Sequence, residues 1–184
     1  MKRSSSKRFT LIELLVVIAI IVILAGLVFP ALGTVRNNAK KSKASSECQG
    51  LKAAIVLYES EFSCWPVNMT ADGVVTDSDY ISMCKILTGN NGKKMVFYEV
   101  GMGYDESKGF LDPWGRAYEV ALDADYDGKI TASKVPAIQA VNNYSGRSGQ
   151  DLRTRVAVYS RGVAKEDNTA IDTLAKKKKI VTSW

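Results

Sequence analysis

Six consecutive residues, Asp123-Ala124-Asp125-Tyr126-Asp127-Gly128, set three carboxylates at alternate positions and then a glycine. This is the opening half of a twelve-residue calcium loop, with oxygens at positions 1, 3 and 5 and a glycine at 6 for the sharp turn. Lys129 would offer its backbone carbonyl at position 7. Position 12, where such loops carry a bidentate acid, is Lys134. Three carboxylates this close repel one another and favour a cation, and hard oxygens on a flexible loop suit calcium better than magnesium. The same residues also read as a hairpin loop in which Asp127-Gly128 supplies the turn. Ca2+ is the cofactor expected if the loop takes a cation; no other is expected.

Glu13 is the second group whose position implies chemistry. It opens an apolar run: no charged side chain occurs from Leu14 to Val35, and Leu14 to Leu32 holds fourteen Leu, Ile, Val or Phe. About 20 such residues as a helix cross the roughly 30 Å hydrocarbon core of a bilayer. A carboxylate at that depth costs several kcal/mol unless it meets a cation or polar group. Either Glu13 stays wet among the headgroups or it has a specific cationic partner after assembly.

The three cysteines are the remaining reactive groups. Cys48 lies about 14 residues before the expected helix end, roughly 20 Å away at 1.5 Å per residue, too far to pair with Cys64. A Cys64–Cys84 disulfide with Cys48 unpaired is the preferred arrangement, and three buried thiols the alternative. There is no histidine in the 184 residues. Ser/His/Asp and Cys/His catalysis and imidazole-ligated zinc are therefore excluded, and no nucleophile motif or Gly-rich phosphate loop is present. No enzyme is expected. Of the 25 basic residues, Lys2, Arg3, Lys7 and Arg8 precede position 9, leaving 21 against 19 acidic groups. The basic excess thus belongs largely to the N-terminal tail, and no nucleic-acid partner is expected.

The elements that must carry these groups follow from periodicity. Cys48, Leu51, Ile55, Tyr58 and Phe62 advance by 3, 4, 3 and 4, one helical stripe. One helix therefore runs from about Thr10 to about Glu61, with Pro30 bending or loosening it and Cys64-Trp65-Pro66 ending it. Tyr80, Met83, Cys84 and Leu87 predict a second helix, opened by Asp77-Ser78-Asp79 and closed at Gly89. Tyr118, Val120 and Leu122 alternate with Ala117, Glu119 and Ala121 as a strand, and Val156 and Val158 alternate with Ala157 and Tyr159 as another. Met95 to Val100 reads as a third. The fold class is α+β: a long N-terminal helix packed through one hydrophobic interface on a small antiparallel sheet. Lys176 to Lys179 read as a solvated turn.

Phe9-Thr10-Leu11-Ile12-Glu13-Leu14-Leu15, after a basic leader and before a long apolar helix, resembles the class III signal of type IV pilins and pseudopilins. The resemblance implies a cut between Arg8 and Phe9 by a membrane prepilin peptidase and methylation of the new amino terminus. It makes Glu13 the fifth residue of the mature chain, able to pair with the Phe9 amine of a neighbouring subunit, and puts Pro30 where the family often has a helix-bending proline. The family usually has Gly before the cut, where this chain has Arg8. Asp112-Pro113-Trp114-Gly115 has the chemistry of a type I turn. It also resembles an element preceding the first strand of the major pseudopilin of type II secretion. Val158-Tyr159-Ser160-Arg161-Gly162 and the ending Ile180 to Trp184 resemble that subfamily too. Residues 64–108 and the 124–150 insertion lie outside the likeness. The subfamily's usual calcium positions, after Gly162 and before Ile180, do not carry over; Glu166, Asp167 and Asp172 are the nearby oxygen donors.

The resemblance implies three parts: a basic prepilin leader 1–8, a transmembrane and filament-core half-helix 9–35, and a periplasmic pseudopilin domain 36–184. It implies a structural subunit of a type II secretion pseudopilus, first inserted single-pass in the bacterial inner membrane and then polymerised in the periplasm. Partners would be the lipid bilayer, further copies of itself, minor pseudopilins, the peptidase and the inner-membrane assembly platform. Two alternatives stay open: a type IV pilin of a surface pilus, and a signal-anchored periplasmic binding protein that never polymerises. An ordinary secretory signal, cut near Ala31-Leu32-Gly33, is a separate alternative to the pilin-type signal.

Overall fold

Pro30 lies inside the longest element of the chain. Helix α1 runs from Leu11 to Phe62, 52 residues, and the backbone stays helical through the proline. The computed structural model describes residues 10–99, 103–162 and 180–184, without the side chains of 27–31 and 144. The leader 1–8, Arg8 and Phe9 at the expected cut, the side chain of Pro30, and residues 163–179 lie outside the described residues.

The chain divides into two compact units between Ala39 and Lys40, inside α1 and a few residues beyond the expected 35/36 boundary. In the first unit the described stretch of α1 from Leu14 to Leu24 is apolar on every side and exposed on every side. Side chains from Leu11 (82% exposed) through Val17 (48%) to Leu24 (57%) all face outward. Among the described residues no helix is long and apolar enough to cross a membrane; the run read from the sequence passes through residues 27–31.

In the second unit the spacing of the stripe decides what α1 buries. Cys48, Leu51, Ile55 and Tyr58 are buried, with Phe62 packed beside them. They meet Tyr80, Met83, Cys84 and Leu87 of α2 (Asp77–Leu87), whose first turn is held by Thr76: its hydroxyl accepts from the Asp79 amide at 3.4 Å and donates to Asp79 Oδ2 at 2.7 Å. Strands β1 (Gly73–Val74), β4 (Glu119–Leu122), β5 (Val156–Ser160) and β6 (Val181–Thr182) form an antiparallel sheet in the order β1-β4-β5-β6. A separate hairpin pairs β2 (Tyr104–Asp105) with β3 (Gly109–Phe110). Gly109 is required there. Its φ is +80°, and a Cβ would fall 2.7 Å from both Cys84 Sγ and the Tyr80 ring.

Two expectations change. Residues 95–99 form no strand. The amides of Phe97 and Tyr98 both donate to Leu87 O (2.9 and 3.1 Å), and the Asn91 side chain binds the Met95 amide and carbonyl, so α2 and its exit turn take up this segment's hydrogen bonds. The sheet also has two buried faces. Val120, Leu122, Val156 and Val158 face α1 and α2, as their alternation requires. Ala121, Ala157 and Tyr159, on the other face, are equally buried, beneath Ile130, a 3-10 turn (Ala132–Lys134) and helix α3 (Pro136–Tyr144) with its Ala137 and Ile138. The insertion after β4 supplies this third layer. Pro136, at the first helical positions where a missing N–H costs nothing, is the signal that marks α3.

Candidate functional site

The N-terminal end of α1 closes on itself. Glu13 Oε2 accepts from the Thr10 amide at 2.8 Å and from its hydroxyl at 2.7 Å, while Thr10 Oγ1 accepts from the Glu13 amide at 3.3 Å. This is a reciprocal capping box, satisfying amides that the first turn leaves without partners. Glu13 is thereby aimed back at the start of the chain, at the residue next to Phe9. Ile12, Val16 and Val17 surround it with apolar surface.

The acidic loop is positioned by the sheet. β1 pairs with β4 so that Gly73 faces Leu122, and this register sets Asp72 beside Asp123. One carboxylate oxygen from each of Asp72, Asp123 and Asp125 lies within 4.8 Å of the others, a constellation able to hold a metal ion. Asp72 was not visible from the sequence, where it stands 51 positions before Asp123 in an ordinary Asp-Gly turn. Its oxygens accept from the Ala124 amide (3.0 Å) and from the Thr131 amide and hydroxyl (2.8 and 3.0 Å). Asp123 is fully buried and accepts from the amides of Asp127 (3.1 Å) and Gly128 (2.9 Å). Burial raises its pKa above the ordinary carboxylate value; the Gly128 and Asp127 amides oppose the shift, and Asp125 and Asp72 add to it.

Asp127 faces elsewhere. Its Oδ1 accepts from the Lys129 amide at 3.1 Å, and its Oδ2 lies 3.6 Å from Lys129 Nζ. That ammonium also reaches Asp151 Oδ2 at 3.2 Å, and Asp151 caps the Ala132 amide at 3.0 Å. The carboxylates brought together are therefore Asp72, Asp123 and Asp125 rather than the three of one loop, with the Lys129 ammonium already beside Asp127.

Asp112-Pro113-Trp114-Gly115 and the end of β5 are one hydrogen-bonded unit. Asp112 is 4% exposed. Its Oδ1 accepts from the Trp114 and Arg116 amides at 2.9 and 3.0 Å, closing the turn, and its Oδ2 accepts from the Ser160 hydroxyl at 2.6 Å. Ser160 Oγ in turn accepts from the Gly162 amide at 2.9 Å. Glu119, one strand over, accepts from Tyr159 Oη at 2.6 Å and from Arg161.

The expected Cys64–Cys84 bond is not made: all three cysteines are free. Cys64 is exposed just past the end of α1, whereas Cys84 points into the core against Tyr80 and Gly109. Burial pushes the Cys84 thiol up to about 11 and Cys48 up to about 12, so both stay protonated and unreactive at neutral pH. Iodoacetamide is expected to alkylate Cys64 alone in the native protein, read as a single added carbamidomethyl group by mass spectrometry; three additions should need denaturant.

A long helix on a small antiparallel sheet, with an acid at the start of an apolar N-terminal run, is the α+β plan of a type IV pilin. The chain is similar to a fimbrial protein of Neisseria meningitidis serogroup B, 38% identical over 87 residues, 45% of this chain and 51% of that protein. It is 37% identical over 87 residues to the type IV major pilin protein PilE of Neisseria gonorrhoeae, 45% of this chain and 52% of that one. A type II secretion system core protein G of Klebsiella michiganensis is 39% identical over 66 residues, 36% of this chain and 46% of the other. The chain spans about half the length of the curated relatives it matches. These relatives are structural pilins and a secretion-system component, not enzymes. No family model matches the chain, and no solved structure matches it.

Proposed function

We propose that the chain is a membrane-anchored subunit of a type IV pilin-like filament, cut between Arg8 and Phe9, methylated on Phe9, and polymerised through the first half of α1. The observation that carries this reading is the described helix from Leu11 to Leu24, exposed on all sides. A helix apolar all round must be covered by lipid or by other helices. The subunit itself does no chemistry: burial of these helices against copies of themselves drives assembly. Mass spectrometry of the mature N-terminus tests it. Methyl-Phe9 is the expected terminus; a start at Met1, or beyond Gly33, would overturn the processing step.

Within that class we favour the pseudopilus of type II secretion. The subunit would sit single-pass in the inner membrane with residues 36–184 in the periplasm, and would use the prepilin peptidase, the assembly platform and minor pseudopilins as partners. The Asp112–Ser160 bond supports this, because it joins the two elements that resemble that branch. The fimbrial and pilin relatives favour a surface pilus instead. A long surface fibre lost on deleting the chain, with secretion intact, would decide for the pilus.

The acidic loop is proposed to hold calcium through Asp72, Asp123 and Asp125, where the ion would neutralise a fully buried carboxylate and tie the turn before β1 to the turn after β4. At a hundredfold excess over the dissociation constant, calcium should stabilise the fold by about 2.7 kcal/mol. Calorimetric titration should show binding that Asp125→Ala weakens and Asp72→Ala weakens as much. Absence of heat with the unaltered protein would end the idea.

A further inference from the structure

The insertion after β4 is fastened to the end of α1 by an arrangement that neither the pilin plan nor the cation reading uses. Trp65, three residues past the helix, is buried, and its indole N–H donates to the Asp123 carbonyl at 2.8 Å. Tyr126, four residues into the acidic turn, stacks on that indole with centroids 5.5 Å apart and planes 11° from parallel. To do so Tyr126 takes a left-handed backbone (φ +62°), which a bulky residue rarely adopts. The guanidinium of Arg155, the residue before β5, lies 5.3 Å from the Trp65 ring centre and 5.5 Å from that of Tyr126, in the range of cation–π attraction. Its far end donates to Glu59 Oε1 at 2.7 Å, in the last turn of α1. The Arg155 carbonyl accepts from the Asp123 amide at 2.9 Å, so the same residue holds the base of the loop.

These contacts form one chain: Glu59 on the helix, Arg155 before β5, Tyr126 at the loop tip and Trp65 after the helix. Each part is held by the others. The loop cannot lift without unstacking Tyr126 from Trp65, and the last turn of α1 cannot fray without releasing Arg155.

We propose that this Arg155-centred clamp is a latch coupling the acidic loop to the C-terminal end of α1, so that the two open and close as one cooperative unit. The inference rests on this geometry alone, whether or not the chain polymerises and whether or not the loop takes a cation. Its consequence is directional. Whatever perturbs residues 123–130, by charge or by contact, changes the order of the helix end.

Amide hydrogen exchange on the full chain in detergent micelles, with no divalent cation added, tests this. Tyr126→Asn keeps a residue that tolerates the left-handed backbone and removes the ring. It should speed exchange about tenfold in residues 123–130 and, by a similar factor, in residues 56–65, while 156–160 stays protected. Arg155→Met, which approaches the clamp from the other side, should raise the same two segments together, and serves if the first variant fails to fold. Faster exchange confined to 123–130 would overturn the latch, showing an independently opening loop. An equal rise throughout the domain would overturn it too, showing only general destabilisation.

Discussion

Filaments are expected to be lost when Glu13 is replaced, and Glu13→Gln should be as defective as Glu13→Ala. The two variants separate two roles of one carboxylate. In the subunit, Glu13 caps its own helix through Thr10, and glutamine keeps an acceptor for that purpose. In an apolar filament core, what matters is the negative charge that meets a neighbour's new amino terminus. Removing one member of a buried ion pair leaves the other uncompensated, at about 3–5 kcal/mol. That is roughly a hundredfold or more in the association constant of every contact. Negative-stain microscopy of fibres sheared from cells, with membrane-fraction blots to show that the subunit accumulates, reads the result. Ordinary fibres from Glu13→Gln would mean that the carboxylate matters only as a cap. The globular part should be unaffected in both variants, since residues from Lys40 onward form their own compact unit.

Asp112→Ala is expected to be the most damaging polar substitution in that unit. The buried carboxylate accepts from two amides of its own turn and from the Ser160 hydroxyl. Its loss leaves these donors without an acceptor, at about 1–3 kcal/mol for each that water does not reach. With partial relaxation the fold should lose about 3 kcal/mol, or roughly 6–12 °C in melting temperature for a domain of this size. Ser160→Ala, which removes one bond and leaves the turn closed, should cost only about 1 kcal/mol. The double variant should cost little more than Asp112→Ala alone, because the two residues share that bond. Circular dichroism melts of the four proteins complete the cycle; additive losses would show that turn and strand end are independent.

Local pattern carried the helices well and the long-range contacts badly. The 3-4-3-4 spacing from Cys48 to Phe62 announced which side of α1 is buried, because a helix repeats its face whatever it packs against. Asp112 was legible as a turn residue, but its partner Ser160 is 48 positions away and nothing local connects them. Asp72 escaped for the same reason: only the β1–β4 register brings it to Asp123. The second face of the sheet was misread because alanine at 121 and 157 fits solvent or core equally well. The tyrosine at 159 looks like an amphipathic edge residue until Glu119 is seen to bind its hydroxyl. The disulfide failed on orientation, which spacing does not encode: Cys84 faces inward and Cys64 outward.

Burial of every residue of β5 has an evolutionary corollary. A strand with no outside depends on its roof, which could not be discarded alone. Stripping away residues 124–150 would bare Ala121, Ala157 and Tyr159 to water and give neighbouring molecules something greasy to adhere to. Of the three, Tyr159 would expose the largest apolar surface, and kin that lack the added helix should carry a smaller or more hydrophilic group at that place.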